Sequence, residues 1–88
     1  MTNYKLIKTR ITTILEEAKK GLSDADYKEA LSLIEHNEFG VALELVCDQL
    51  FEHNAKISQS LYQDIILIAT EMELDGKRWR TLQGLIRA

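Results

Sequence analysis

Apolar residues recur at spacings of three and four over most of the chain, which is the pattern of amphipathic α-helices. A first helix is predicted from about Asn3 to Lys20, and Gly21 follows as a natural stop at the C′ position. The residues predicted to form its buried stripe are Tyr4, Ile7, Ile11, Ile14, Leu15 and Ala18.

Two more helices follow, separated by a tight turn at Asn37. The second helix begins at the N-cap Ser23, with Asp26 three residues later as half of a capping box. The third runs from after Asn37 to about His53, and its apolar face is wide enough to predict a central position. The predicted core residues of the second helix are Tyr27, Ala30, Leu31 and Ile34. Those of the third are Phe39, Ala42, Leu43, Val46 and Leu50, with Val41, Leu45 and Cys47 widening the line.

The C-terminal third predicts a fourth helix and a short fifth one. The fourth extends from the cap Ser58 to about Met72, and the fifth begins at the cap Asp75. Phe51 and Leu67 are apolar residues expected at the surface. The core side of the fourth helix is Leu61, Tyr62, Ile65, Ile66, Ile68, Ala69 and Met72. That of the fifth is Trp79, Leu82, Leu85 and Ile86.

Three of the predicted helix starts share one local device. An apolar residue stands directly before the cap, and an aromatic residue stands four positions after it. Such hydrophobic staples fix the angle at which the chain enters a helix, so we assign these aromatic residues to folding. The pairs are Leu22 with Tyr27, Ile57 with Tyr62, and Leu74 with Trp79.

Composition supports a single globular domain over residues 1–88, with 45% hydrophobic and 28% charged residues. Proline is absent, only four glycines occur, and no segment alternates with period two for long. We therefore expect an all-α protein, a compact bundle of four to five helices. The single cysteine cannot form an internal disulfide. Neither a signal peptide nor an apolar run long enough to span a bilayer is present, so a soluble cytoplasmic protein is expected.

The net charge of −3 conceals an uneven distribution. Residues 22–54 hold one basic and eight acidic side chains, whereas residues 1–21 hold five basic and two acidic ones. Helix dipoles account for Asp24, Asp26 and Glu38 in predicted first turns. The acidic row, which we define as Glu44, Asp48 and Glu52, has i, i+4 spacing, so its members repel one another by a few tenths of a kcal/mol per pair. The row is either a surface for a basic partner or a solvated helix face.

Patterns that carry catalysis are missing from the sequence. His36 and His53 lie beside predicted helix ends, and neither has metal-ligand spacing to another histidine or cysteine. Cys47 lies on an apolar helix face and is expected to be a small buried hydrophobe. No glycine-rich loop has a phosphate-binding pattern. The sequence therefore predicts a protein that is not an enzyme, with no catalytic residues, no metal and no cofactor.

Two other classes of small helical protein are also disfavoured. Lys77, Arg78 and Arg80 surround Trp79, but DNA-binding domains of this size are normally strongly basic, and the pI here is about 5.3. Acyl carriers need a serine in an Asp-Ser-Leu context at a helix start, and residues 59–61 read Gln-Ser-Leu. A protein-binding module without chemistry of its own is the remaining class.

From residue 34 to residue 86 the chain resembles the MafI family of small bacterial immunity proteins. The resemblance rests on the stretches EFGVALELVCDQLFE, ISQSLYQDI and MELDGKRWRTL. It implies a cytosolic antidote that binds the C-terminal toxin domain of a polymorphic or contact-dependent toxin and blocks it. In several members of the family that toxin resembles an EndoU-type RNase. The resemblance transfers no catalytic residues to this chain.

The charge pattern, and not the family, selects the residues expected to contact a toxin. A nuclease holds phosphate with basic side chains, and an acidic helix surface can occupy the same field. The partner is thus expected to be a basic nuclease domain bound one-to-one, with no direct contact to nucleic acid or membrane. The alternative is a non-catalytic helical adaptor with a solvated acidic face. The expected toxin-binding residues are Glu35, Glu38, Glu44, Asp48 and Glu52.

Overall fold

Helices dominate the computed structural model, which describes residues 4–74 and 79–86 and assigns no strand within those ranges. The predicted all-α fold is therefore confirmed. The α-helices are α1 (Tyr4–Ala18), α2 (Asp24–Glu35), α3 (Phe39–Glu52) and α4 (Gln59–Glu71), and 3₁₀ turns cover Lys19–Gly21 and Thr81–Leu85.

Serine side chains cap two of the helix starts, as the sequence predicts. The Ser23 hydroxyl oxygen accepts a hydrogen bond from the backbone N–H of Asp26 at 3.1 Å. The Ser58 hydroxyl accepts one from the backbone N–H of Leu61 at 3.0 Å. Each bond satisfies one of the donors that the first turn of a helix leaves unpaired. The predicted cap Asp75 lies outside the described residues.

The C-terminal ends of α2, α3 and α4 share one geometry. At each end a residue adopts a left-handed backbone, and the next backbone N–H bonds to a carbonyl five residues earlier, as in a Schellman motif. The predicted turn at Asn37 is thereby confirmed. The left-handed residues are Asn37 (φ 61°), Asn54 (φ 49°) and Glu73 (φ 58°). The bonds are Glu38 N–H to Leu33 O at 2.8 Å, Ala55 N–H to Leu50 O at 3.0 Å, and Leu74 N–H to Ala69 O at 2.9 Å.

Helix α1 packs against the other three helices, α2 and α3 form a hairpin, and the C-terminal segment (residues 79–86) packs on α3. Nearly all of the predicted core residues are buried or partly buried, including Cys47. Two predictions are wrong: Tyr4 is 69% exposed and Val41 is 49% exposed. Tyr4 begins α1 at the rim of the bundle, where its ring lies 6.4 Å from that of Phe39. Val41 lies on the side of α3 opposite its core residues.

The C-terminal segment matches the predicted fifth α-helix only in part: residues 79–80 are α-helical, but residues 81–85 form a 3₁₀ helix. Its inward-facing residues are as predicted, since Trp79, Leu82 and Leu85 are buried. The backbone N–H of Ile57 donates to the carbonyl of Leu85 at 3.1 Å, within an isolated parallel bridge between Ile57 and Ile86. This bridge fastens the segment to the loop between α3 and α4, which holds it beside the C-terminal half of α3.

A polar contact joins α1 to α2. The Tyr27 hydroxyl donates to the Glu16 carboxylate, with 3.0 Å to each oxygen. The ammonium of Lys19 lies 4.6 Å from the centre of the Tyr27 ring, which is a cation–π geometry. The hydrogen bond to Glu16 raises the pKa of Tyr27 above its usual value of 10.0, with smaller contributions from desolvation and from the Glu16 charge.

Candidate binding face on the third helix

The side of α3 that faces away from the core carries both acids and large apolar residues. Spacings of three and four place its members along one line of the helix, since the buried residues of α3 occupy the opposite side. We call this surface the outer face of α3. Its members are Val41, Glu44, Asp48, Phe51 and Glu52.

Two members of the outer face are apolar and well exposed. Phe51 is 55% exposed, as expected, and Val41 is 49% exposed, against expectation. Single exposed apolar residues are ordinary on protein surfaces. These two, however, share one helix line with the acidic row. Aromatic and apolar side chains beside charged ones are the composition of a protein-binding surface, whose centre is apolar and whose rim is polar.

The three acids of the row lie together as predicted, but their environments differ. Asp48 and Glu52 are exposed, and Glu44 is half-buried. Glu44 and Asp48 each take part in a further interaction within the chain, so the row is not a set of three free charges. The row therefore combines a structural contribution with a negative surface, and its C-terminal half is the more accessible part.

Glu35 and Glu38, the other two predicted contact residues, are exposed but do not belong to the row. Glu35 is the last residue of α2. The prediction that Glu38 lies in the first turn of α3 is wrong, because Glu38 is the N-cap residue and makes no side-chain capping bond. The backbone N–H of Glu38 forms the hydrogen bond of the Schellman turn that ends α2, so α3 starts one residue later than predicted. Both acids lie at the α2–α3 turn, beside the N-terminal end of the outer face.

A groove runs between the C-terminal half of α3 and the C-terminal segment, with a volume of about 280 Å³. Its position follows from the bridge between Ile57 and Ile86, which holds the segment against α3. Sequence patterns gave no signal for this groove, because it needs two elements that are distant along the chain. The lining residues are Cys47, Asp48, Phe51, Glu52, Thr81 and Leu82.

A second groove, of about 580 Å³, has the opposite charge. It lies between the junction of α1 with α2 and the loop that follows α3, and Lys20 and Lys56 are among its lining residues. His53 also lines it, and its Nε2 atom lies 3.9 Å from the Asp26 carboxylate. Cationic side chains would repel a basic partner. We therefore place the candidate site for such a partner at the outer face of α3.

In the parts of the chain that the structure describes, no group of three or more His, Cys, Asp or Glu side chains is arranged to hold a metal ion. The Nδ1 atom of His36 lies 2.7 Å from the Ser32 carbonyl oxygen, one turn back on its own helix. Cys47 is 2% exposed. Within residues 4–74 and 79–86, no helix has the length and apolar character needed to cross a membrane.

No known protein family has a model that matches the chain. No curated protein and no solved structure matches it either. The function is therefore inferred from the residues and geometry of this chain and from the resemblance of residues 34–86 to the MafI family.

Proposed function

We propose that this protein is a cytoplasmic immunity protein, without catalytic activity, that binds and neutralises the C-terminal domain of a polymorphic or contact-dependent toxin. The observation that carries the proposal is the outer face of α3. On it, exposed Phe51 and Val41 share one line with the acidic row. The resemblance to the MafI family supplies the class of partner, a toxic nuclease and in particular an EndoU-type RNase.

Charge complementarity supports a nuclease as the partner. A protein that cleaves RNA must hold phosphate, so its active-site surface is basic. An acidic face accelerates association with such a surface and penalises acidic competitors. The apolar members then supply the contact area that exposed charges alone do not, since exposed ion pairs each contribute little. The combination of both in one line favours a specific interface over a merely solvated helix.

A complex of standard size would cover about one seventh of the accessible surface of this protein. Helix α3 has 14 residues and is about 21 Å long. A standard interface takes about 800 Å² from each partner. The described chain has an accessible surface of 5692 Å². The outer face of α3, with Glu35 and Glu38 at the α2–α3 turn, would supply part of that area in a one-to-one complex.

A non-catalytic helical adaptor with a solvated acidic face is the alternative. The exposed carboxylates of Glu35 and Glu38 favour it, because isolated surface acids of this kind are common at helix ends. The two functions differ in their partner. An antidote must abolish the activity of the protein that it binds, whereas an adaptor need not.

The experiment that tests the proposal is a pull-down with this protein as tagged bait. The prey is the C-terminal toxin domain encoded immediately upstream, co-expressed and washed across a series of salt concentrations. Stable capture with loss of the RNase activity of that domain supports the immunity function. If the bait is folded and does not capture the domain, the proposal is overturned and the adaptor becomes the better interpretation.

A further inference from the structure

The groove between α3 and the C-terminal segment is bordered by acidic side chains and an aromatic ring. Cys47 and Leu82 also border it, but they are only 2% and 1% exposed, so nearly all of their surface is already covered within the protein. Phe51 lines the same groove and is 55% exposed. Asp48 and Glu52 are its acidic lining residues.

The exposed phenyl ring is the first indication of an occupant. Burying an aromatic side chain removes a large apolar area from water, and aromatic residues anchor interfaces when they border a pocket. Phe51 stays more than half exposed beside the groove. A side chain that entered the groove would cover the ring.

The charge of the lining selects the kind of side chain. The exposed carboxylate of Glu52 favours a cation, and the ring of Phe51 attracts a cation through its negative face. Asp48 adds negative charge to the lining, although it also takes part in another interaction within the chain. An arginine side chain suits both the carboxylate and the ring. Its planar guanidinium stacks on aromatic rings and donates two parallel hydrogen bonds to a carboxylate, and its methylene stem packs on apolar surface. The ammonium group of lysine is compact and strongly hydrated, so it stacks on aromatic rings and pairs with carboxylates less well than a guanidinium does.

We infer that this groove is a subsite for an arginine side chain presented by the partner protein, with the guanidinium between the Phe51 ring and the Glu52 carboxylate. The inference deepens the proposed function and rests on it, because a basic nuclease domain is the partner that would supply the arginine. An arginine held in this groove is withdrawn from RNA phosphate. Binding at the groove and loss of RNase activity would then have a common cause.

The test uses the free protein and small probes, so it does not depend on the toxin. Amide chemical shifts of the ¹⁵N-labelled protein are followed during titration with N-acetyl-argininamide, N-acetyl-lysinamide and the uncharged isostere N-acetyl-citrullinamide. The expected result is a saturable response confined to residues 47–52 and 81–82, strongest for the arginine probe. Citrulline, which keeps the shape and loses the charge, should give no saturable response.

Two variants and one control locate the effect. Phe51→Ala should weaken binding of the arginine probe by about two- to fivefold, the range of an exposed cation–π contact. Glu52→Gln should weaken it while leaving the fold unchanged, since Glu52 is exposed. Leu67→Ala is the matched control, because Leu67 is 57% exposed on α4 and does not line the groove. It should leave the affinity unchanged.

Equal responses to arginine and citrulline, or a response scattered over the surface, would overturn the subsite. That outcome is separable from failure of the proposed function. Capture of the toxin domain without a localised arginine response would retain the immunity function and refute the subsite. A localised arginine response without capture would retain the subsite's chemistry and refute the nuclease as its source.

Discussion

The Cα of Gly21 lies so close to Ala55 that a Cβ added to the glycine would stand 2.7 Å from the Ala55 Cβ. The same added atom would lie 2.7 Å from the Cδ2 of Leu50. The sequence predicted Gly21 as the C′ stop of the first helix, whereas in the structure Gly21 closes the 3₁₀ turn after α1 and, like the other described glycines, has no positive φ. The glycine is needed instead because the end of α1 touches the loop after α3.

Gly21→Ala should therefore destabilise the protein by about 1–3 kcal/mol, the range for overpacking a close contact. For a domain of this size that lowers Tm by roughly 4–8 °C per kcal/mol. The matched control is Gly84→Ala, because a Cβ at Gly84 meets no atom within 4 Å. The control should be neutral or stabilise by up to about 1 kcal/mol. Thermal denaturation of both variants decides the matter, and equal Tm values would refute the close contact.

Glu73 adopts a left-handed backbone at the end of α4, with φ 58°. This conformation costs a non-glycine residue roughly 1–2 kcal/mol, and a glycine avoids that cost. Part of the gain is offset because a glycine loses more conformational freedom on folding. Glu73→Gly should raise the free energy of unfolding by about 0.5–1 kcal/mol. Glu71→Gly, inside the last turn of α4, should lower it by about 1 kcal/mol. Urea denaturation measures both, and a loss of stability in Glu73→Gly would contradict the geometry.

The Tyr27–Glu16 hydrogen bond makes stability depend on pH in the alkaline range. The pKa of Tyr27 is raised in the folded protein, mainly by this bond. Its contribution to stability is therefore fully present below the unfolded pKa of about 10, and it is lost as pH rises through the folded pKa. Glu16→Gln should bring the pKa of Tyr27 back toward its usual value. The pKa of Tyr27 is measured from tyrosinate absorbance, and the Tyr27→Phe variant identifies which part of the signal belongs to Tyr27. An unchanged titration in Glu16→Gln would show that the Glu16 hydrogen bond does not raise this pKa.

Much of the fold could be predicted because the helices follow a single local rule. Apolar residues at spacings of three and four located the core sides of α1 and α4, and serines located the starts of α2 and α4. The turn at Asn37 was predictable because asparagine tolerates a left-handed backbone. These features depend only on residues within about one helical turn of each other.

The remaining features depend on how the elements pack, which periodicity does not encode. Val41 is as apolar as its buried neighbours, and only the position of α3 in the bundle shows that it faces outward. The Tyr27–Glu16 bond joins two helices. The groove beside Phe51 requires the C-terminal segment to dock on α3. The acidic row and the exposure of Phe51 could be predicted from the sequence, whereas the exposure of Val41 and the groove beside Phe51 could not.

Reversing the accessible end of the acidic row should weaken toxin binding without unfolding the protein. Asp48→Lys with Glu52→Lys is the preferred pair, because Glu44 is half-buried and its replacement would also disturb the fold. The substitutions turn the repulsion between positions 44 and 48 into an attraction, while positions 48 and 52 stay like-charged. The net effect on α3 is therefore small, and circular dichroism should remain helical. Association with the toxin domain should slow by about tenfold or more, and its dependence on ionic strength should diminish.

Glu17→Lys with Glu29→Lys is the matched control, since both acids are exposed on α1 and α2 and the change in net charge is the same. A partner steered only by net charge would respond equally to both pairs, because long-range attraction depends on total charge. For a partner that docks on the outer face of α3, substitution of Asp48 and Glu52 would lower the affinity more than the control substitution does. The additional loss would arise mainly from faster dissociation. Stopped-flow association and dissociation rates separate the two cases. Identical rates for both pairs would place the interface away from α3 and leave the acidic row as solvated surface.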